Sequence, residues 1–257
     1  MDPAPIVQWR VIYALMMREV HTIYGTTRLG YLWALFHTMW HIALFWGIRA
    51  FAGVRAPHGM HILIFLLIGF GAFHIFSKSV KKCMGAVSSN KALLTFPQVT
   101  PVDLMISRVI LVWSTELTSG LFFIFIGTLC GIPIYLNSVS GLLAFLLLTP
   151  LLGLGVGMTC ASLIVLFPIL EQIIPIVLRI MFFTSGLFFS ATSLPSGVLK
   201  YLWYNPMLQI IEWGRYCLSR GYPVLNYSLS YLVVLTASSL CLGLLLERYV
   251  RRRRQRR

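Results

Sequence analysis

The chain has 257 residues, of which 58% are hydrophobic and 11% charged, and its formal net charge is +14. Ordinary soluble domains carry about 25% charged residues, so there is too little charge here to coat a water-facing surface. Together with a mean hydropathy of +0.82, this excludes a soluble enzyme or binding module and places most of the surface in lipid.

A bilayer leaves the backbone no water to bond, so a spanning segment is a helix or a closed barrel, and a helix needs about 20 apolar residues. In chain order, the stretch "IVQWRVIYALMM" within 6–22 is apolar but interrupted by Gln8 and Arg10. It is too short to cross and is predicted to lie as a helix in the inner interface, with Trp9 and Tyr13 at headgroup depth. Six apolar stretches follow: Tyr31 to Gly53, His61 to Ser77, Val109 to Gly131, Val139 to Phe167, Ile173 to Ala191, and Leu229 to Leu246. Their runs lack the period-two alternation of a lipid-facing barrel strand. The fold class expected is an all-α integral membrane protein with six transmembrane helices in a single domain over 1–257. No secretory leader is expected, because Met1 to Pro5 has neither a basic start nor a following cleavage site.

Orientation follows from Lys and Arg, which favour the cytoplasmic side of short loops. With both termini inside, 16 of the 21 basic residues are cytoplasmic, leaving Arg49, Arg55, Lys200, Arg215 and Arg220 outside. The 248–257 tail, ending "RRRRQRR", follows the last span directly. Basic residues near an anionic leaflet contribute about 1 kcal/mol each, so the tail reads as a membrane tether and topology signal rather than a nucleic-acid reader, which would need a folded basic face. The five cysteines, at 83, 130, 160, 217 and 241, form neither a disulfide framework nor a CxxC zinc pattern and read as packing residues.

Chemistry is sparse. No GxxxxGK[ST] P-loop occurs, and the seven carboxylates include no close pair in a loop, which disfavours nucleotide hydrolysis, acid/base catalysis and metal-dependent glycosyl transfer by this chain. His37 and His41 have the spacing of a two-ligand metal site on one helical face, but no third ligand accompanies them, and a structural or channel-lining pair is the better reading. Trp33, His37, Trp40 and Leu44 share a face, either for packing and interfacial anchoring or as a surface on which sugar rings stack. Glu116 and Arg179 are ionisable residues well inside predicted spans. Their similar depth from the inner ends suggests a salt bridge between spans three and five. Gly153, Gly157 and Ala161 form a small-residue ridge for close helix approach, and "FPILEQIIP" makes the turn between spans four and five. The loop Lys78 to Arg108 is long enough to hold a short basic helix ending near Ser88, Ser89 and Asn90.

The residues then carry a resemblance. "REVHTIYGTTRLGYLWALFHTMW", with Leu29, Gly30, Leu32 and Trp33 at its core, resembles the opening signature of ABC-2 type exporter permeases, most closely those of capsule polysaccharide export. "LLTFPQVTPVDL" is similar to the family's run before span three. "SGLFFSATSLP" followed by "YNPMLQIIEWGR" matches its outer segment, with Pro195, Asn205, Pro206 and Arg215 in place. The likeness covers nearly the whole chain; it departs where His37 and Thr38 replace the family's usual residue and Pro, and where Thr26 or Thr27 replaces a basic residue.

The resemblance implies a homodimer with a separate nucleotide-binding ATPase that holds the ATP and Mg, so that this chain has no cofactor and is not itself an enzyme. It implies a bacterial inner-membrane location, a lipid-linked acidic polysaccharide as cargo, and periplasmic or outer-membrane export partners. It also implies a coupling helix with Val80, Lys81, Lys82 and Met84 against the ATPase. Two short helices over about 192–216 would dip into the outer half and return, an outer gate with Tyr201, Trp203, Tyr204, Asn205, Pro206 and Arg215. Charge and depth add Arg10, Arg28, Trp33, His37 and Trp40 along the substrate channel. Alternatives are an ABC-2 exporter of O-antigen, teichoic acid or a small lipid-like drug, then a secondary transporter or channel, then a membrane glycosyl or acyl transferase.

Overall fold

The computed structural model describes residues 4–24, 28–53, 56–96, 98–223 and 228–255, with side chains at 6–22, 40–53, 56–96, 98–223 and 228–253. Among these residues there are nine α-helices and no strand: α1 (Ala4–Tyr24), α2 (Arg28–Phe51), α3 (Ile62–Met84), α4 (Pro101–Leu129), α5 (Val139–Leu166), α6 (Leu170–Thr184), α7 (Ser196–Leu202), α8 (Pro206–Cys217) and α9 (Leu229–Gln255). Within the described residues four are long and apolar enough to cross a bilayer, namely α3, α4, α5 and Leu229–Arg253 of α9.

The bundle is built around α3. Every residue from Leu63 to Phe70 is buried, a run of eight that covers more than two helical turns and so leaves no face open. The neighbours α2, α4, α5, α6 and α8 supply that cover. Against α5 the approach is close: a Cβ on Gly153 would stand 2.9 Å from Ser79 Cβ, and one on Gly157 2.8 Å from Cys83 Cβ. The other side of α5 meets α9, where a Cβ on Gly243 would stand 2.8 Å from Met158 Cβ. The small-residue ridge of the fourth predicted span therefore seats α3.

Several boundaries move for identifiable reasons. The second predicted span ends at Ser77, but α3 runs on to Met84, so Lys78, Lys81 and Lys82 lie on a membrane helix rather than in a loop. Thr100 and Asp103 form a capping box in which Thr100 Oγ1 accepts from the Asp103 amide and the Thr100 amide donates to Asp103 Oδ2 at 2.8 Å; with Pro101 in the first turn, this starts α4 well before Val109. The basic helix expected up to Ser88–Asn90 is replaced by the end of α3, a turn at Gly85, and a 3-10 segment at Ser88–Thr95 kinked at Asn90.

The fifth predicted span is the largest correction. Instead of Ile173 to Ala191, α6 is 15 residues, about 22 Å of rise, and stops at Thr184. Gly186 then turns the chain with φ of +75°. The main-chain oxygens of Gly186, Leu187 and Phe189 accept from Arg215 at 2.7, 3.3 and 3.1 Å, and that of Phe188 accepts from Arg49. Four successive carbonyls outside any helix are thus satisfied by two guanidinium groups, which is what backbone in an apolar setting requires.

Gly157 provides a direct check on the packing. Gly157→Val should lower the melting temperature of the detergent-purified protein, consistent with an overpacking cost of about 1–3 kcal/mol. Gly120→Ala, where nothing lies within 4 Å of the added Cβ, should melt like the parent.

Candidate functional site: the two polar ends of the bundle

The end of the bundle that holds α7 and α8, outer by the Lys and Arg distribution of the sequence, is organised by Arg215. It is fully buried, lies 3.5 Å above the Phe65 ring, and donates to Glu212 Oε1 at 2.8 Å as well as to the three carbonyls. The other Glu212 oxygen accepts from Tyr222 at 2.9 Å and from Ser190 at 3.2 Å, and burial pushes the Tyr222 phenol well above its ordinary pKa. Through these bonds Arg215 staples the 186–189 segment to α8 from beneath.

The remaining outer residues divide by role. Asn205 caps α8, accepting from the Met207 amide at 3.0 Å and donating to Ser185 Oγ at 3.1 Å, while Pro206 occupies the first helical position. Trp203 is half-buried, whereas Tyr201 and Tyr204 are 79% and 73% exposed. α8 itself is buried from Met207 to Arg215.

At the opposite end, inner by the same charge distribution, α1 docks on the start of α4. Arg108 is buried and pairs with Glu19 of α1 at 3.1 Å. Its other nitrogens donate to the Lys82 carbonyl at 3.2 Å and to Ser89 Oγ at 2.8 Å. Gln8 donates to Asp103, and Arg18 to Asn90, whose own amide reaches the Ala86 carbonyl at 3.0 Å. A single arginine therefore ties together α1, the last turn of α3 and the 88–95 segment. Nothing in the local sequence pattern marks Arg108 for this, because its partners lie far away along the chain.

Of the coupling residues expected from the sequence, Val80 is buried against α5, and Lys82 and Met84 are half-buried. The exposed inner surface comes instead from Ser88, Ser89, Lys91, Thr95 and Phe96, the last 59% exposed. Lys81 is exposed too, but it lines a cavity beside α6.

The expected Glu116–Arg179 salt bridge does not form. Glu116 is buried and accepts from Lys78 at 2.6 Å, with His74 Nδ1 3.8 Å from its second oxygen. His74 and Lys78, four apart on α3, both reach Glu116 of α4, while Arg179 of α6 lines a cavity with His74 and Lys81 and makes no ion pair with Glu116. Equal depth did not mean equal azimuth. His41 meets His74 ring edge to ring at 5.7 Å. Among the channel residues, Arg10 and Trp40 are exposed, and the side chains of Arg28, Trp33 and His37 lie outside the described residues. No cluster of three His, Cys, Asp or Glu suited to a metal occurs among the described residues.

A bundle of apolar helices wrapped on α3, with α1 docked at its basic end, defines an integral membrane protein. The chain belongs to the ABC-2 type transporter family, whose profile matches residues 10–218. It is 31% identical over 242 residues to the polysialic acid transport protein KpsM of Escherichia coli, covering 94% of each chain. It is 24% identical to the capsule polysaccharide export inner-membrane protein BexB of Haemophilus influenzae, over 93% of this chain and 91% of that one. To CtrC of Neisseria meningitidis, likewise a capsule polysaccharide export inner-membrane protein, it is 26% identical, over 82% and 79%.

Two substitutions probe the ends. Arg215→Lys should sharply reduce folded protein, since one ammonium group does not span three carbonyls and a carboxylate; circular dichroism melts in detergent would read it. Glu116→Gln should destabilise by about 1–3 kcal/mol, and adding Lys78→Gln should cost less than the two single losses combined, whereas Arg179→Gln should be additive with Glu116→Gln.

Proposed function

We propose that two copies of this chain, driven by a separate nucleotide-binding ATPase, export a lipid-linked acidic polysaccharide across a bacterial inner membrane. The observation that carries this reading is the end-to-end match, 94% of both chains, to a protein named for polysialic acid transport. The matches to capsule export proteins of two further genera point the same way. The chain acts as the permease and not as an enzyme; ATP and Mg sit on its partner.

In this reading six segments cross the membrane: α2, α3, α4, α5, α6 and α9. The α7–α8 pair dips into the outer half, supported by the break at Pro206, the exposed Tyr201 and Tyr204, and the enclosed α8. Both termini are cytoplasmic, supported by the concentration of Lys and Arg at the α3–α4 end and on α9. The channel runs between the copies. Arg10 and Arg28 attract the anionic cargo at its mouth, Trp33, His37 and Trp40 line its wall, and periplasmic and outer-membrane partners receive the polymer.

The ATPase docks on the 88–95 segment and Phe96. Arg108 passes its movement on, because the same guanidinium holds Ser89, the Lys82 carbonyl and Glu19 of α1. A secondary transporter would need a coupling-ion carboxylate in the membrane, and Glu116 is engaged by Lys78 instead.

Mild-detergent purification of the tagged chain from its native membrane should bring down an ATPase of about 200 to 250 residues, one ordinary domain. Phe96→Asp should reduce its recovery at least fivefold with the permease still folded. A chain that purifies alone and moves solute in liposomes without ATP would overturn the proposal.

A further inference from the structure

The cavity between α3 and α6, about 400 Å³ in volume, belongs to none of the roles above. Lys81, His74 and Ser77 of α3 line it from one side, with Arg179, Phe182 and Phe183 of α6 on the other. Arg179 is exposed on an apolar helix, where its neighbours Ile176, Val177 and Ile180 are exposed as well. A guanidinium on such a surface is costly in lipid and calls for a counter-charge. Among the described residues neither Arg179 nor Lys81 has a carboxylate within 4.0 Å, and the nearby Glu116 is held by Lys78 and His74.

The depth of these charges narrows the ligand. Lys81 stands three residues from the end of α3, and Arg179 nine residues into α6, so they lie about 4.5 and 13.5 Å from the inner helix ends at 1.5 Å per residue. Two permanent cations on one cavity between membrane helices, with phenylalanine walls and an apolar helix face alongside, match an amphiphile with an anionic head. Guanidinium recognises a phosphoryl oxygen pair in bidentate fashion and ammonium adds a point charge.

We infer that this cavity holds the phosphoryl headgroup of a membrane lipid, with Arg179 and Lys81 on the phosphate and the acyl or prenyl chain along the exposed face of α6. Lys81 then serves the lipid and not the ATPase. The lipid comes from one of two sources, the acidic phospholipid of the bilayer or the lipid anchor of the cargo; only the second rests on the export reading.

The test uses the full chain in neutral detergent, with lipid retention followed by native mass spectrometry during titration with phosphatidylglycerol or with phosphatidylcholine of the same chain length. Wild type should retain phosphatidylglycerol at least tenfold more tightly. Arg179→Gln and Lys81→Gln should each lose about tenfold, with the co-purifying ATPase still bound to Lys81→Gln. Arg179→Lys, which keeps the charge if the glutamine variant folds poorly, should stay within threefold of wild type, and Arg252→Gln in the tail should match it. Equal retention of the two lipids by wild type, or unchanged phosphatidylglycerol binding in both glutamine variants, overturns the inference. A lipid extract from exporting cells then identifies the source: displacement of bound phosphatidylglycerol assigns the cavity to the cargo anchor, and persistence assigns it to bilayer phospholipid. Retention of lipid by a chain that recovers no ATPase would leave the cavity standing and the export reading fallen.

Discussion

A helix enclosed on all sides is the constraint from which the rest of this structure follows. α3 has no lipid face between Leu63 and Phe70, so every neighbour must come close, and the close approaches fall where glycine removes the side chain. In a bilayer no hydrophobic force drives one apolar helix onto another; contact density does, and small residues are what make that density reachable. The same enclosure dictates polar chemistry. A charged group on α3 either meets a partner on the next helix, as Lys78 meets Glu116, or opens into a cavity, as Lys81 does.

Irregular backbone presents the second demand, and arginine answers it at both ends. Outside, Arg215 and Arg49 take the oxygens freed where α6 stops. Inside, Arg108 holds a carbonyl at the end of α3, a hydroxyl from the 88–95 segment and a carboxylate of α1. The planar fork of donors suits this better than any other side chain. The two junctions differ in one respect: that of Arg215 locks a turn against its own bundle, while that of Arg108 couples three elements that are separate along the chain.

Some of this was legible in the sequence and some was not. The span Val139–Phe167 was read nearly to the residue, because a continuous apolar run bounded by Ser138 and by Phe167–Pro168 leaves little choice. The fifth span was misread because "GLFFS" is as apolar as any helix, and hydropathy carries no record of an arginine nearly 30 residues away capturing its carbonyls. The end of α3 differs for the opposite reason: three lysines read as a separate basic helix within a loop, although their apolar stems let α3 run on through them. Family motifs located the ends of the protein through their order and spacing. The Glu116 partner escaped because depth is readable from position along a span, whereas azimuth depends on how helices are rotated against one another.

The last helix carries its apolar stretch into the arginine run without a break. α9 continues to Gln255, nine residues beyond Leu246 and about 13 Å further along the same axis. Arg248, Arg251 and Arg252 fall on one side of that rod, and Arg253 is turned about 100° from its neighbour. The cationic end is therefore a stiff post and not a loose string. Its charges are fixed to the helix axis, so a rotation or tilt of α9 carries them as one body and is converted directly into a change in the direction of that positive field.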